Sequence, residues 1–511
     1  MSTAIEVLPK DLHNEKLIAN VHPRDWKNPK AKDRYHLVVI GAGTAGLVTA
    51  AGSAGLGAKV ALIERHLMGG DCLNVGCVPS KGVISAARSW HRARRSHADF
   101  AGPQVHGGEN FAAAMERMRR LRAGISHVDG APRFSQELGI DVFLGQGRFL
   151  GPDRVEIDGQ VLNFRRAVIA TGARAAAPKI PGLEKIRYLT NETIFELTEL
   201  PRRLLVLGSG PIGCEMAQAF QRFGSEVSVF ERGNEIMPRE DQDAAAIVRK
   251  SMERDGVQFL CRTKLLGIEP IGGAVRVEYE QDGQRRTIEG DQLLVAIGRA
   301  PNIEGLGLEA AQVNYDERGV QVDAYLRTSN KRIYAVGDIA SPYKFTHTAD
   351  AQARIVIQNA LFDGIPLGLA MKKQNLIVPW ATYTAPEIAH VGMYEKDAKA
   401  AGIEIDTITV QLEHVDRAVL EGEAEGFLRV HVKKGSDQIV GATLVAEHAG
   451  EMISELTLAM KAGVGLGALA AVIHPYPTQA EVIRKAGDAY NRTKLTARTK
   501  SILQTMLRIF S

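Results

Sequence analysis

Two stretches of the chain carry the same order of apolar, glycine-rich and polar positions. Leu37–Arg65 (LVVIGAGTAGLVTAAGSAGLGAKVALIER) and Leu204–Arg232 (LLVLGSGPIGCEMAQAFQRFGSEVSVFER) align without a gap, 167 residues apart. Each opens on four consecutive apolar residues, the pattern of a strand buried on both faces. A G-x-G-x-x-G turn follows, then a helical stretch closing near Gly57 or Gly224. A second apolar strand then ends on an acid, Glu64 or Glu231, 23 residues after the first glycine. Farther on, Gln136–Asp158 and Gln160–Ile169 read as strands joined by turns. Phe427–Val432 and Ile439–Val445 alternate as antiparallel strands do, and Gly450–Ala462 reads as a helix.

The pattern predicts an α/β chain: two doubly wound dinucleotide-binding domains plus a C-terminal α+β domain. Residues 1–34 are polar and punctuated by proline, and read as an N-terminal extension. Residues 35–180 hold the first nucleotide unit and 181–299 the second. Residues 300–370 return to the first unit, 371–490 form the α+β domain, and 491–511 make a basic tail. That tail carries Arg492, Lys494, Arg498, Lys500 and Arg508 with apolar residues between. It reads as a solvated terminal helix rather than a membrane or partner dock.

Composition narrows the function classes. Of 511 residues, 45% are hydrophobic and 24% charged, an ordinary globular mix that excludes a disordered or fibrous chain. A net charge of +4 and 6% aromatics give no electrostatic footprint and no stacking platform for nucleic acid. The longest apolar stretch, Ala462–Ile473, is too short to span a bilayer and is broken by Gly463, Gly465 and Gly467. Glu6, Lys10, Asp11, Glu15 and Lys16 stand where a signal peptide needs an apolar core, so a cytoplasmic location is expected. Four cysteines, Cys72, Cys77, Cys214 and Cys261, are too few for a secreted disulfide scaffold.

The repeated unit has a physical reading. The first glycine of each turn (Gly41, Gly208) lets strand pass sharply into helix. The second (Gly43, Gly210) admits a pyrophosphate against the backbone, and the third (Gly46, Gly213) lets helix and strand close together. The pyrophosphate rests on unpaired N–H groups at the helix N-terminus, and the terminal acid accepts from a ribose diol. Two dinucleotide sites are therefore expected. Glu231 in the second would repel a 2′-phosphate, which favours NADH over NADPH, although Arg232 follows directly.

Cys72 and Cys77 lie in GGDCLNVGCVPSK, residues 69–81. The spacing suits redox chemistry or zinc, but zinc sites usually offer a second pair or nearby histidines, and no second cysteine pair exists here. Pro79 suits the first turn of a helix, and Ser80–Arg95 reads as one. A cysteine pair at a helix N-terminus is biased toward thiolate, and a disulfide there would be accessible and reducible. Cys214 and Cys261 read as core residues.

A glycine fingerprint, then C-x4-C-V-P-S-K, then a second dinucleotide unit resembles the FAD-dependent pyridine nucleotide–disulfide oxidoreductases. The resemblance runs over residues 35–490. It implies FAD in the first unit, with Gly41, Gly43, Gly46, Glu64, Gly70, Asp71 and Lys81 at the cofactor. Thr171 and Gly172 of the Ala170-Thr171-Gly172 turn, Arg299 of VAIGRAPN and Asp338 of TSNKRIYAVGD belong to the same set. It implies NAD(P)H in the second unit at Gly208, Gly210, Gly213 and Glu231. It makes Cys77 the thiolate against the flavin and Cys72 the one that attacks substrate, with Lys81 and Glu215 tuning charge beside the flavin. His347, in FTHTA, falls near the flavin in the same pattern. The C-terminal domain becomes a dimerisation domain, and a homodimer sharing each active site across subunits is implied.

The acceptor end departs from the disulfide reductases of this family, which carry His-Pro-Thr-x-x-Glu. Counting back from Glu481 in HPYPTQAE puts Tyr476 at the histidine's position, and His474 two residues early. A phenol with pKa near ~10 is a poor acid–base group at neutral pH. Mercuric reductases carry tyrosine there and another ahead of the second nucleotide unit, which Tyr188 resembles. The resemblance thus leans to that branch, with Hg(II) or another soft ion held transiently by Cys72 and Cys77 as substrate. It departs from that branch in having no Cys-Cys near TMLRIFS and no Cys-x-x-Cys in residues 1–34. The alternatives are a dithiol–disulfide oxidoreductase like dihydrolipoamide dehydrogenase, and a flavoprotein that binds metal without turnover.

Overall fold

The computed structural model describes residues 5–106, 110–362, 370–373 and 376–510. These fall into two compact units. One contains residues up to Phe230 together with Thr263–Leu376, and the other contains Glu231–Arg262 and Ile377 onward. Residues 1–4, 107–109, 363–369, 374–375 and 511 lie outside the description, so the expected boundary near 370 falls beside undescribed residues.

In the first unit the strands predicted from the apolar runs form the parallel core of a seven-stranded sheet. Asp141–Leu144, Val60–Glu64, Tyr35–Ile40 and the C-terminal half of Gln160–Ile169 lie side by side, and Ile333–Ala335 pairs parallel with the last of these. The chain thus comes back to its first sheet after residue 300. The N-terminal half of Gln160–Ile169 turns antiparallel to Arg154–Ile157, which pairs with Arg148–Gly151. Gln136, expected at the start of a strand region, instead ends the helix Ala131–Gln136. Helix Thr44–Gly55 covers the sheet and packs on helix Thr346–Leu361. The fit is tight enough that a Cβ on Gly52 would come within 2.5 Å of Ile357.

The second glycine repeat builds its own parallel strands, Glu226–Phe230, Arg203–Leu207 and Gln292–Val295, in that order. The antiparallel ribbon Thr263–Ile271, Ala274–Gln281 and Gln284–Gly290 follows it. Both nucleotide sheets share one compact unit because helices join them. The helix Cys77–Phe100 meets Pro211–Phe223 through an aromatic cluster of Trp90, Phe111, Phe220 and Phe223, with centroid separations of 5.2 to 6.4 Å. The boundaries read at 180 and 299 therefore do not separate compact units.

Residues 5–34, within the N-terminal extension, include a capped and packed helix. Asp11 caps the helix Leu12–Val21 by accepting from the N–H groups of His13 and Asn14. Leu17, Ile18 and Val21 are buried, and Trp26 donates its indole N–H to the Val142 carbonyl. The polar residues of this segment hid three apolar positions at helical spacing.

The second unit holds a five-stranded antiparallel sheet ordered Pro379–Thr382, Glu387–Gly392, Ile439–Ala446, Phe427–Lys433 and Ile405–Gln411. Helix Ala449–Ala462 lies on it, beginning one residue before the sequence reading. Glu231–Arg262 belongs here through side chains: Glu240 accepts from the Trp380 indole (2.9 Å) and from the Tyr394 hydroxyl (2.5 Å), and Arg429 reaches Asp241 and Asp243. No helix among the described residues is long and apolar enough to cross a membrane.

Candidate functional site

Both glycine turns have the geometry their motif requires. Gly41 and Gly208 have φ of +102° and +100°, a region that strains any residue with a Cβ. A Cβ on Gly46 would lie 1.8 Å from the Gly41 carbonyl oxygen, and one on Gly213 2.0 Å from that of Gly208. The turn thus folds back under its own helix in each copy. The helix after the first turn is capped by Gly43, which has no side chain to occupy the free N–H groups. Gly70 approaches from the cysteine loop so closely that a Cβ there would sit 2.6 Å from the Gly43 Cα.

The remaining residues of the first cradle converge on this turn. Glu64 is buried and accepts from the N–H groups of Ala42 (2.7 Å) and His66 (2.8 Å). Burial pushes its carboxyl up, against those two bonds. Its two oxygens keep acceptor capacity for a diol. The Ala170-Thr171-Gly172 turn lies against Gly41 and is locked to Asn302 by three hydrogen bonds of 2.9 to 3.0 Å. Arg299 pairs with Asp71, lies 3.3 Å from Asp338 and donates to the Ala173 carbonyl (2.8 Å). Its Nε, the atom that faces Asp338 in this ion pair, is buried and makes no well-aligned hydrogen bond. Burial raises the Asp338 carboxyl, and Arg299 opposes that. A free helix N-terminus, a buried ribose-type acid and an incompletely bonded Arg–Asp pair fit the phosphate, ribose and polyol parts of FAD.

The two cysteines stand on successive helices. Cys72 lies in the single turn Gly70–Asn74, and Cys77 opens the helix Cys77–Phe100, which starts three residues earlier and ends later than the sequence indicated. Pro79 is consequently the third residue of that helix. It costs nothing there, because the N–H it lacks has no intrahelical partner anyway. Both cysteines are free thiols, Cys72 half-buried and Cys77 exposed. Cys77 Sγ lies 3.3 Å from the Thr346 hydroxyl. One turn along, Lys81 pairs with buried Glu215 at 2.9 Å.

These surroundings separate the two thiols electrostatically. A hydrogen bond from Cys72, helped by Thr346 and Lys81 against partial desolvation and Glu215, pulls the Cys77 thiol down to about 6. The same hydrogen bond, then desolvation, pushes Cys72 up. The direction of both shifts favours thiolate at Cys77 and the protonated form at Cys72. The intervening loop is clamped. Arg122, itself buried, donates to the Asn74 carbonyl (2.6 Å) and to Asn14 of the N-terminal helix (2.7 Å). Asn74 donates back to the carbonyls of Met68 and Gly70.

Sequence reasoning missed Thr346 and Arg122. Thr346 adjoins His347, the residue singled out in FTHTA. The structure puts the threonine at Cys77 and stacks exposed His347 on Phe345. Arg122 carried no motif and is recognisable only from what it touches. Cys214 and Cys261 are buried as expected, the former donating to the Ser209 carbonyl. Tyr188 is half-buried, next to Leu189, whose N–H joins the second nucleotide sheet at Leu293. Glu231 accepts from the Gly233 N–H at 2.6 Å.

Comparison with known proteins follows the same outline. Residues 35–353 match the family described as pyridine nucleotide-disulphide oxidoreductase, and 378–487 match the dimerisation domain of that family. The chain belongs to the pyridine nucleotide-disulphide oxidoreductase family. It is thus an FAD-dependent enzyme built from FAD- and NAD(P)-binding domains and a separate dimerisation domain. Mercuric reductase of Bacillus cereus is 34% identical over 460 residues, covering 90% of this chain and 72% of that protein. Dihydrolipoyl dehydrogenase of Thermus scotoductus is 34% identical over 469 residues, covering 90% and 98%. The structure of the HOCl-induced flavoprotein disulfide reductase RclA from Escherichia coli, as its Cu(II) complex, superposes with a TM-score of 0.79. It is 27% identical and covers 89% of this chain and 99% of that one. Overall identity therefore does not choose between metal and disulfide acceptors.

The acceptor-end residues lie in the second unit. Tyr476 is 70% exposed and donates to Asp416 at 2.7 Å, a bond that raises its phenol. Buried Glu481 is engaged by Arg484 and Lys485. The side chain of His474 is only 5% exposed. Its Nε2 lies 3.1 Å from Glu455 and its Nδ1 3.1 Å from the Val472 carbonyl. Both ring nitrogens of His474 thus have partners within this chain.

Proposed function

We propose that this enzyme uses NAD(P)H to reduce a soft metal ion held by Cys72 and Cys77, with Hg(II) the first acceptor to test. One observation carries the reading. A thiolate-forming cysteine pair is kept intact, while the position that would protonate a departing thiol holds a phenol tied to Asp416. The mercuric reductases among the relatives support it, as does the Cu(II) complex of RclA. Bound FAD supplies the two-electron relay between nicotinamide and the cysteine pair. The chain does the rest. Gly41, Gly43, Gly46, Glu64, Gly70, Asp71, Thr171, Gly172, Arg299 and Asp338 hold the flavin nucleotide. Gly208, Gly210, Gly213 and Glu231 hold the nicotinamide nucleotide, with NADH favoured by the acid. Lys81 and Glu215 set the charge beside Cys77.

Two soft thiolates suit a soft ion. The ion accepts two electrons and leaves as the neutral metal, NAD(P)H becomes NAD(P)+, and one proton is released. In the homodimer, Tyr476 of the partner subunit and Glu481 of the partner subunit complete the acceptor pocket, and Tyr188 lines its approach. Dithiol–disulfide exchange is the second reading, favoured by the equal identity to dihydrolipoyl dehydrogenase.

The test is an acceptor panel of Hg(II) with excess external thiol, Cu(II), lipoamide and glutathione disulfide, each with NADH and NADPH. Continuous oxidation with Hg(II), lost in Cys77→Ser, is expected. Tyr476→His is expected to raise disulfide turnover at least about tenfold, since a placed acid–base group is worth more than that. Lipoamide turnover equal to Hg(II) turnover in the wild type overturns the metal reading. A single stoichiometric burst with Hg(II) reduces the protein to a metal binder.

A further inference from the structure

The last helix, Ala497–Ile509, is properly built. Thr496 caps it, its hydroxyl accepting from the Thr499 N–H at 3.2 Å. Yet none of its residues is buried. Isolated helices shorter than about 12–15 residues are marginal in water, and a helix of this size normally owes its stability to a packed face. This one has such a face, and nothing among the described residues covers it. On a wheel of about 100° per residue, Ile502, Leu503, Met506, Leu507, Ile509 and Phe510 fall in one arc of about 160°. Leu507 is 71% exposed and Phe510 85%.

The charge pattern says what covers it. After Asp488 the chain has no acidic residue, whereas Arg492, Lys494, Arg498, Lys500 and Arg508 are basic. Arg498 and Lys500, both exposed, fall at the two edges of the apolar arc, where long basic side chains lie along an apolar surface and carry their charge to a polar boundary. A second copy is a poor occupant. A two-fold contact that paired this face with itself would set these cations against cations with no carboxylate between them. An anionic lipid surface answers both features, taking the apolar arc into the acyl boundary and the cations at the headgroups.

We propose that Ala497–Ile509 docks the enzyme on anionic bilayers, lying in the interface rather than crossing it. The test uses the full-length holoenzyme and sedimentation with vesicles of equimolar phosphatidylcholine and phosphatidylglycerol, against phosphatidylcholine alone. Binding to the anionic vesicles is expected, at least about tenfold stronger than to the neutral ones and weakened by salt. The Leu503→Glu/Leu507→Glu double variant is expected to lose it by at least about tenfold while keeping its bound-flavin absorbance and its oligomeric state. Failure of the wild type to bind, or equal binding by the variant, overturns the proposal. So does a change of oligomeric state in the variant by light scattering, which would give the face to a second copy.

Discussion

Replacing Lys81 with Met removes the cation one helical turn from Cys77 without changing much of its bulk. The wild-type thiol, pulled down to about 6 from an ordinary 9.0, would be roughly nine-tenths thiolate at pH 7, whereas an ordinary one would be roughly one-hundredth. Residues four apart on a helix have Cβ atoms about 5–6 Å apart. At about 6 Å and an effective dielectric of about 40, between protein surface and water, a unit charge is worth about 1.4 kcal/mol, one pKa unit. The high dielectric is the appropriate discount, because the Lys81 side chain is 37% exposed. Glu215 pushes the other way, and its influence grows once the lysine is gone. The expected midpoint for Lys81→Met therefore rises by about one to two units. Glu215→Gln moves it down, and Lys81→Arg restores it. The sign is that of an acid with a depressed pKa: thiolate persists above the midpoint and is lost as pH falls through it. The assay is the long-wavelength thiolate-to-flavin absorbance of the two-electron-reduced holoenzyme between about pH 4.5 and 9, whose midpoint belongs to the cysteine pair. A wild-type midpoint near the ordinary thiol value, or shifts of the same sign in Lys81→Met and Glu215→Gln, refutes the electrostatic account.

The two glycine turns offer a matched pair of perturbations. Gly46→Ala, whose Cβ would meet the Gly41 carbonyl oxygen at 1.8 Å, is expected to lose FAD, read as the flavin-to-protein absorbance ratio after gel filtration. Gly213→Ala, at 2.0 Å from the Gly208 oxygen, is expected to keep FAD and raise the KM for NAD(P)H. Arg122→Met leaves the buried Asn74 carbonyl without its 2.6 Å donor. A loss of about 1–3 kcal/mol in denaturant unfolding is expected, and an unchanged midpoint would remove the clamp from the account.

What could be read from the chain was whatever repeats or follows a fixed spacing. The glycine turns and their strands appear where the apolar runs put them, because a four-residue apolar run after which the backbone must turn at positive φ has few other solutions. Lys81 and Glu215 meet as the family resemblance implied. The N-terminal helix escaped because Leu17, Ile18 and Val21 are set among polar residues, and only tertiary packing shows which face is buried. Arg122 escaped for a related reason. It acts on a backbone carbonyl, and carbonyls leave no mark on residue type. Thr346 escaped although its neighbour His347 was singled out, because neighbouring side chains at a helix start point about 100° apart. The domain boundaries at 180 and 299 followed sequence repeats, whereas compactness followed an aromatic cluster joining helices of both repeats.

The acceptor is where these threads bear on chemistry, and the deciding quantity is the proton. A disulfide takes up two electrons and two protons, and its leaving thiolate, with an ordinary pKa near ~8.5, needs a nearby acid that works at neutral pH. An ion reduced to the neutral metal takes up two electrons and no proton. Imidazole is needed in the first case and dispensable in the second. This chain has an imidazole only two residues from the required place, yet His474 is fastened at both nitrogens, to Glu455 and to the Val472 carbonyl. By the resemblance Tyr476 falls at the place itself, and its bond to Asp416 raises its phenol. Glu481, the residue that would hold a histidine there, is turned to Arg484. On the proposed reading, all three departures weaken acid–base capacity, while Cys77 stays biased toward thiolate. Loss of the proton donor with retention of the sulfur nucleophile is the combination that a thiophilic ion tolerates and a disulfide does not.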